Sequence, residues 1–239
     1  MSRYHAGASW GARKESIDAC ADRLLRFLTE LSSCDAVFSR WYKLGMSRRK
    51  AMQAEIDFRK KDYLLGMLEK GRNRTDIGKK VIEELGFSVW MWNGAACDEK
   101  SVGLNVHCGS YTTGPAVGNG VSIDLPEDLG DLRDAERMAK VLLAVARCWE
   151  PDTARVSTVQ PIRAEDIVPG RPVEGPKYFD WMVYVSNRLA PNPTVPEPSL
   201  VKPVDALGSL IIVQPEPVEA DNPVHLQRVK AVEAALGIK

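Results

Sequence analysis

The chain has 239 residues, 44% apolar and 27% charged, enough to bury a full core in one large domain. Its 32 Lys/Arg balance 32 Asp/Glu, so the whole molecule exerts no long-range pull on nucleic acid or on an anionic membrane. Five cysteines, at 20, 34, 97, 108 and 148, show no CxxC or metal-finger spacing and are odd in number, which points to reduced thiols. With charges scattered through the first thirty residues and no apolar run of about 18, the reading is a cytoplasmic protein without a signal peptide or membrane span.

In chain order, Ser16 can cap a first helix whose apolar stripe is Ile17, Ala21, Leu24, Leu28 and Leu31. An aromatic connection follows from Cys34 to Gly45. A second helical region is expected over Ser47 to Lys70, broken near Asp57 and closed by Gly71. Thr75 can cap a third helix carrying Ile77, Val81, Ile82 and Leu85, stopped by Gly86.

Three strands then form an antiparallel meander over Phe87–Trp92, Ser101–Cys108 and Asn119–Leu125, because apolar and polar residues alternate there. Phe87, Val89, Met91, Val102, Leu104, Val106, Val121, Ile123 and Leu125 share one dry face. Trp90 and Trp92 point the other way, so another layer or a partner must cover them. Asp131 opens a middle helix with Leu132, Ala135, Met138, Ala139, Leu142, Leu143 and Ala146 inward, ended by Trp149 and Pro151.

Further strands are expected over Arg155–Val159, Tyr178–Ser186 and Ser209–Val213, the last buried on both faces. Between the last two, Ala190 to Pro203 carries five prolines and reads as an extended surface loop. Asn222-Pro223 starts a final helix burying Leu226, Val229, Val232 and Leu236. The order predicts a single α+β domain over 1–239, helical in 1–86 and sheet-rich in 87–239. Its mainly antiparallel sheet would have five to six strands, with an N-terminal helical layer, a middle helix and a C-terminal helix.

Chemistry-bearing groups are few. His5 and His225 sit near the two ends, and His107 faces away from the dry side while Cys108 faces it, so the neighbours make no dyad. No Walker, GxGxxG, HExxH or GxSxG pattern occurs, and the glycine-rich stretch 114–120 precedes a strand, so turns explain it. No catalytic residue, cofactor or metal is assigned. From Arg40 to Lys80 there are thirteen Lys/Arg against five Asp/Glu, but the charges are spaced as on a solvated helix with no recognition motif. The acidic run Asp124, Glu127, Asp128, Asp131, Asp134 and Glu136 is partly explained by a helix N-terminus; Asp124, Glu127 and Asp128 precede it.

A series of landmarks resembles a known family. Ser9-Trp10-Gly11-Ala12-Arg13 with Glu15-Ser16, Trp41, Asn73-Arg74 with Asp76, and Gly86-Phe87 come first. Trp92-Asn93-Gly94, Cys108-Gly109, Asn119, Leu125-Pro126 and Trp149-Glu150-Pro151-Asp152 follow. Their order, from about Trp10 to Trp181, resembles immunity protein 52 of bacterial polymorphic toxin systems. The resemblance implies a non-enzymatic protein encoded beside a secreted toxin, often a type VI effector with a restriction-endonuclease-like nuclease domain, which it binds and neutralises. The family carries no catalytic residues to transfer. The expected contact residues are Trp92, Asn93, Glu127, Asp128 and Asp131, opposing a basic nuclease cleft. The rival class is a nucleic-acid-binding accessory factor or an enzyme with an unrecognised site.

Overall fold

In a computed structural model, residues 3–45, 47–114, 118–160 and 177–237 are described. The chain begins with β1 (Arg3–Trp10), α1 (Ile17–Cys34), β2 (Tyr42–Lys43), α2 (Arg48–Ala51) and α3 (Lys61–Lys70). The meander β3 (Phe87–Trp92), β4 (Gly103–Cys108) and β5 (Asn119–Asp124) leads into α4 (Ala135–Trp149). Last come β6 (Thr153–Gln160), β7 (Lys177–Ser186), β8 (Leu200–Val204), β9 (Gly208–Ile212) and α5 (Pro223–Leu236). All nine strands join one antiparallel sheet in the order β2-β3-β4-β5-β1-β6-β7-β9-β8. The fold is α+β.

The helices start where side chains satisfy their free N–H groups. Ser16 Oγ accepts from Ala19 N at 3.1 Å, Asp134 Oδ1 from Arg137 N at 2.9 Å, and Asn222 Oδ1 from Val224 N at 3.0 Å. α4 ends at Glu150, whose left-handed backbone returns its N–H to Ala146 O before Pro151 breaks the helix.

α1 and α4 pack together over one face of the sheet, with α3 beside α1. Trp149 lies between Trp10 and Phe27, with ring centroids 5.6 and 6.0 Å away. The nine meander residues expected on the dry face are all buried. Over β7 and β9 the opposite face is closed too: Val183, Val185 and Ile211 are buried where α5 packs against β7. From β3 to β6 no helix among the described residues covers that face.

Several expectations are corrected. The sheet has nine strands where five to six were expected, and the N-terminal part contributes two of them. β1 is the central strand, paired with β5 on one edge and β6 on the other, so His5 belongs to the sheet interior and not to a fraying end. The helix expected after Thr75 is a hairpin: Thr75 N donates to Lys80 O, and Gly78 and Lys79 take positive φ at its tip, which a helix forbids. Ile77 is therefore exposed instead of buried. α4 begins at the Asp134 cap, with Asp131 in a separate 3-10 turn before it. The region 47–70 is broken more widely than expected, helical only in α2 and α3.

The end of the proline-rich stretch forms β8, whose Pro203 is tolerated because the strand lies at the sheet edge. In α5, Val229 and Val232 are buried while Leu226 and Leu236 are half-buried. Of the glycine-rich stretch 114–120, residues 115–117 lie outside the described residues.

Candidate partner-binding groove

The uncovered sheet face follows from strand register. On β1, Tyr4, Ala6 and Trp10 point into the helical layer, which leaves Arg3, His5, Gly7 and Ser9 on the open side. Pairing carries this parity across neighbouring strands. One row runs Trp90, Asn105, Ser122, Gly7, Arg155, and the next runs Trp92, Gly103, Asp124, His5, Ser157, Asp180.

The members of these rows from β3 to β1, Trp90, Asn105, Ser122, Trp92, Gly103, Asp124 and His5, line a groove of about 600 Å³. Trp90 and Trp92 form one wall, with Leu44 beyond them, and Tyr178 stands on the other side. Trp90 is 58% exposed, Leu44 61% and Tyr178 52%, so three large apolar side chains of one concavity meet solvent. A cluster of that kind is uncommon on a surface without a binding role. The floor between them is small or polar: Gly103, Asn105, Ser122 and His5.

Three carboxylates line the groove, Asp98, Asp124 and Glu127, against one guanidinium, Arg3. Arg3 Nε lies 3.2 Å from Glu127 Oε1. The carboxylates of Asp98 and Asp124 make no hydrogen bond or ion pair among the described residues. Asn105 Oδ1, beneath the floor, is sealed from solvent and has no donor among the described residues.

His5 is held over Gly7. A Cβ at position 7 would sit 2.7 Å from His5 Cε1, so only glycine lets the imidazole lie there and share a 2.9 Å hydrogen bond with Ser122 Oγ. Burial lowers the His5 pKa below its ordinary value and outweighs the opposing pull of Asp124, so the ring is neutral at pH 7. Serine beside a neutral histidine is the beginning of a nucleophile and base pair. Acyl transfer also needs backbone N–H donors for the oxyanion. Ser122 lies mid-strand between two hydrogen-bonded partners, and the ladders to β4 and β1 take up the amides around it.

Further along the same face, Asp180 is buried, accepting from Ser157 Oγ at 2.6 Å and Arg155 Nη1 at 3.2 Å. Burial raises its pKa, and the two donors counter the rise.

The residues expected from sequence to contact a partner divide between two places. Trp92 and Glu127 line the groove, Trp92 with its indole N–H donating to Ser101 Oγ at 2.8 Å. Asn93 is occupied by the turn: Oδ1 accepts from Ala95 N and Val102 N, and Nδ2 donates to Lys100 O and Val37 O. Asp128 and Asp131 lie beyond the groove on the way to α4, where Asp128 accepts from Gly130 N and Asp131 pairs with Arg137. Sequence reasoning missed Trp90, His5, Asn105, Asp98 and Tyr178 as one constellation, since only the register of separated strands unites them.

The landmark residues of the sequence build the scaffold. Asn119 Nδ2 donates to Gly11 O and Ser110 O while its Oδ1 accepts from Ser110 N, which ties three loops together. Arg13 Nη2 donates to Trp149 O, and Asp152 accepts from Gly11 N. His107 Nε2 donates to Leu85 O, so that histidine also fixes a connection.

No curated protein matches the chain. Among solved structures, the fold is similar to that of the Pseudomonas aeruginosa T6SS protein PA0821. The TM-score is 0.57 at 10% sequence identity, over 99% of this chain and 76% of that one, a likeness of fold alone. The sequence pattern of Immunity protein 52 matches residues 2–238, and the chain belongs to that family.

Proposed function

We propose that this chain binds and neutralises a cognate secreted toxin, a nuclease effector of a type VI or related system, inside the cell that produces it. It works by occupying the toxin and performs no bond-making chemistry of its own. The observation that carries this reading is the sheet face that no described helix covers, where Trp90, Leu44 and Tyr178 stand exposed around carboxylates of which Asp98 and Asp124 have no partner among the described residues. Exposed aromatic anchors within a rigid frame are the usual source of affinity at protein interfaces. In this reading Trp92 and Glu127 in the groove, the Trp92-Asn93 turn, and Asp128 and Asp131 beyond the groove oppose a basic nuclease cleft.

Co-expression with the toxin encoded beside this chain's gene tests the proposal. Rescue of growth and co-purification are the expected result; a toxin that still kills, and does not co-purify, refutes it. The rival reading rests on the cations from Arg40 to Lys80, and their surroundings weigh against it. Arg40, Lys60, Lys61 and Arg72 are each paired with a carboxylate, and Lys43 lies over the Tyr63 ring. A DNA and RNA titration at low salt discriminates, because phosphate contacts give steeply salt-dependent affinity.

A further inference from the structure

We infer that the groove is built to take a cationic, arginine-bearing segment of the protein partner; this rests on the toxin-neutralising reading above. Two features of the lining converge on that chemistry, its carboxylates and an exposed indole. Asp98 and Asp124 present carboxylates that nothing among the described residues neutralises, and Glu127 adds a third, met only by the largely exposed Arg3. The lining thus carries three negative charges against one positive, with His5 neutral.

Trp90 offers an indole face to solvent, and guanidinium groups are drawn to such faces. A planar cation with several N–H donors can use indole and carboxylate at once, stacking on the ring while donating to the carboxylate oxygens. An anionic or purely apolar segment would leave the carboxylates unpaired on burial, which is costly.

The span fits a segment rather than a single side chain. Tyr178 leans over to His5 of β1, ring centroids 6.4 Å apart, and from β3 to β1 there are three strand steps, which at about 4.8 Å each is roughly 14 Å, a little wider than an α-helix with its side chains. The aromatic walls then enclose a helix or hairpin whose cations reach the floor.

Two titrations separate this inference from the reading it rests on. In the first, the full chain is titrated at low ionic strength with a short peptide alternating arginine and glycine, following tryptophan fluorescence. Saturable binding that weakens about 30-fold in the Asp98→Asn/Asp124→Asn double variant is expected, the loss typical of an interface hot spot. No saturable response, or equal affinity in the variant, overturns the groove assignment whatever the toxin. In the second, the toxin encoded beside this chain's gene is titrated against wild type, Trp90→Ala and Asp124→Asn. Losses of about 30-fold in both variants support the inference. Undiminished binding by both overturns it and leaves the immunity reading standing. Failure of the wild type itself refutes the immunity reading, while the peptide titration still decides the groove. Trp90 is exposed and Asp124 has no ion pair among the described residues, so unchanged melting of the variants serves as the folding control.

Discussion

Trp149, in the last turn of α4, stacks on Trp10, the last residue of the central strand, with ring centroids 5.6 Å apart and planes 22° apart. Phe27 of α1 meets Trp149 edge-on at 77°. Three rings therefore join two helices to the middle of the sheet, and all three are buried. Trp149→Ala should destabilise the fold by about 3–5 kcal/mol, the usual cost of deleting a large buried ring. Trp149→Phe should cost much less, because the Trp149 Nε1 is buried without an acceptor and its removal breaks no hydrogen bond. Urea unfolding of the two variants measures both; equal losses would contradict the packing account.

Asn119 is the polar counterpart of that contact. Its amide makes three hydrogen bonds of 2.8–2.9 Å to Gly11 and Ser110 from a buried position. Asn119→Ala would strand the Ser110 N–H and the Gly11 carbonyl, while Ser110 O keeps the Arg13 N–H, at a cost of about 1–3 kcal/mol for a buried group left unpaired. Thermal unfolding should show the loss, and amide exchange should quicken at Ser110, whose N–H loses its acceptor.

How much of this was legible in the sequence depended on whether a signal was local. The meander was readable because Val102, Leu104, Val106, Val121 and Ile123 alternate with small or polar residues, and a strand needs nothing further to declare its faces. β1 was not, because Ala6, Gly7 and Ala8 give no β-branched contrast; its place is set by pairing with β5 and β6 more than a hundred residues away. Ile77, Val81, Ile82 and Leu85 have helical spacing, yet the positive φ of Gly78 and Lys79 bends that segment into a hairpin. The outward direction of Trp90 could be read from strand parity. That Leu44, Asp98 and Tyr178 share a groove with it could not, since that depends on the order β2-β3-β4-β5-β1-β6-β7.

The thiols should separate sharply in reactivity. Cys97 is exposed, while Cys20, Cys34, Cys108 and Cys148 are buried. Burial is the main reason that Cys34 is raised to about 11 and Cys148 to about 12. For Cys108 a hydrogen bond with Cys20 is the first cause of its raised pKa, with burial second. The thiolate is the reactive form, so a thiol reagent at pH 8 should label Cys97 quickly and the other four only on unfolding. Fast release from Cys97→Ser would show that the buried thiols open more readily than their packing implies.

His5 gives the stability a pH dependence of defined sign. Its folded pKa lies below the unfolded value of 6.5, so the unfolded chain binds the proton more readily. The contribution is full above pH 6.5 and is lost as pH falls through the folded value. Wild type should therefore lose stability on acidification below neutrality, and His5→Gln should lack that part of the slope. Asp124 opposes the downward shift, so Asp124→Asn should lower the imidazole pKa further, as read from its proton NMR titration. A histidine that titrates at or above 6.5 would contradict the burial argument.

Charge on the acidic flank should act on the rate of encounter. Glu127 pairs with Arg3 and Asp131 with Arg137, and Asp128 accepts from Gly130 N, all near the surface. Exposed pairs of this kind contribute about 0–1 kcal/mol each, so Glu127→Lys, Asp128→Lys and Asp131→Lys together should melt close to wild type. If the flank faces a basic toxin surface, the triple reversal removes long-range attraction and replaces it with repulsion. Association at low salt should then slow by about tenfold or more, with dissociation little changed. The gap should narrow as salt is raised, since at 0.1 M the screening length is about 10 Å. Stopped-flow mixing with the toxin reads both rates. Equal association rates at low salt would mean that the acidic segment points away from the partner.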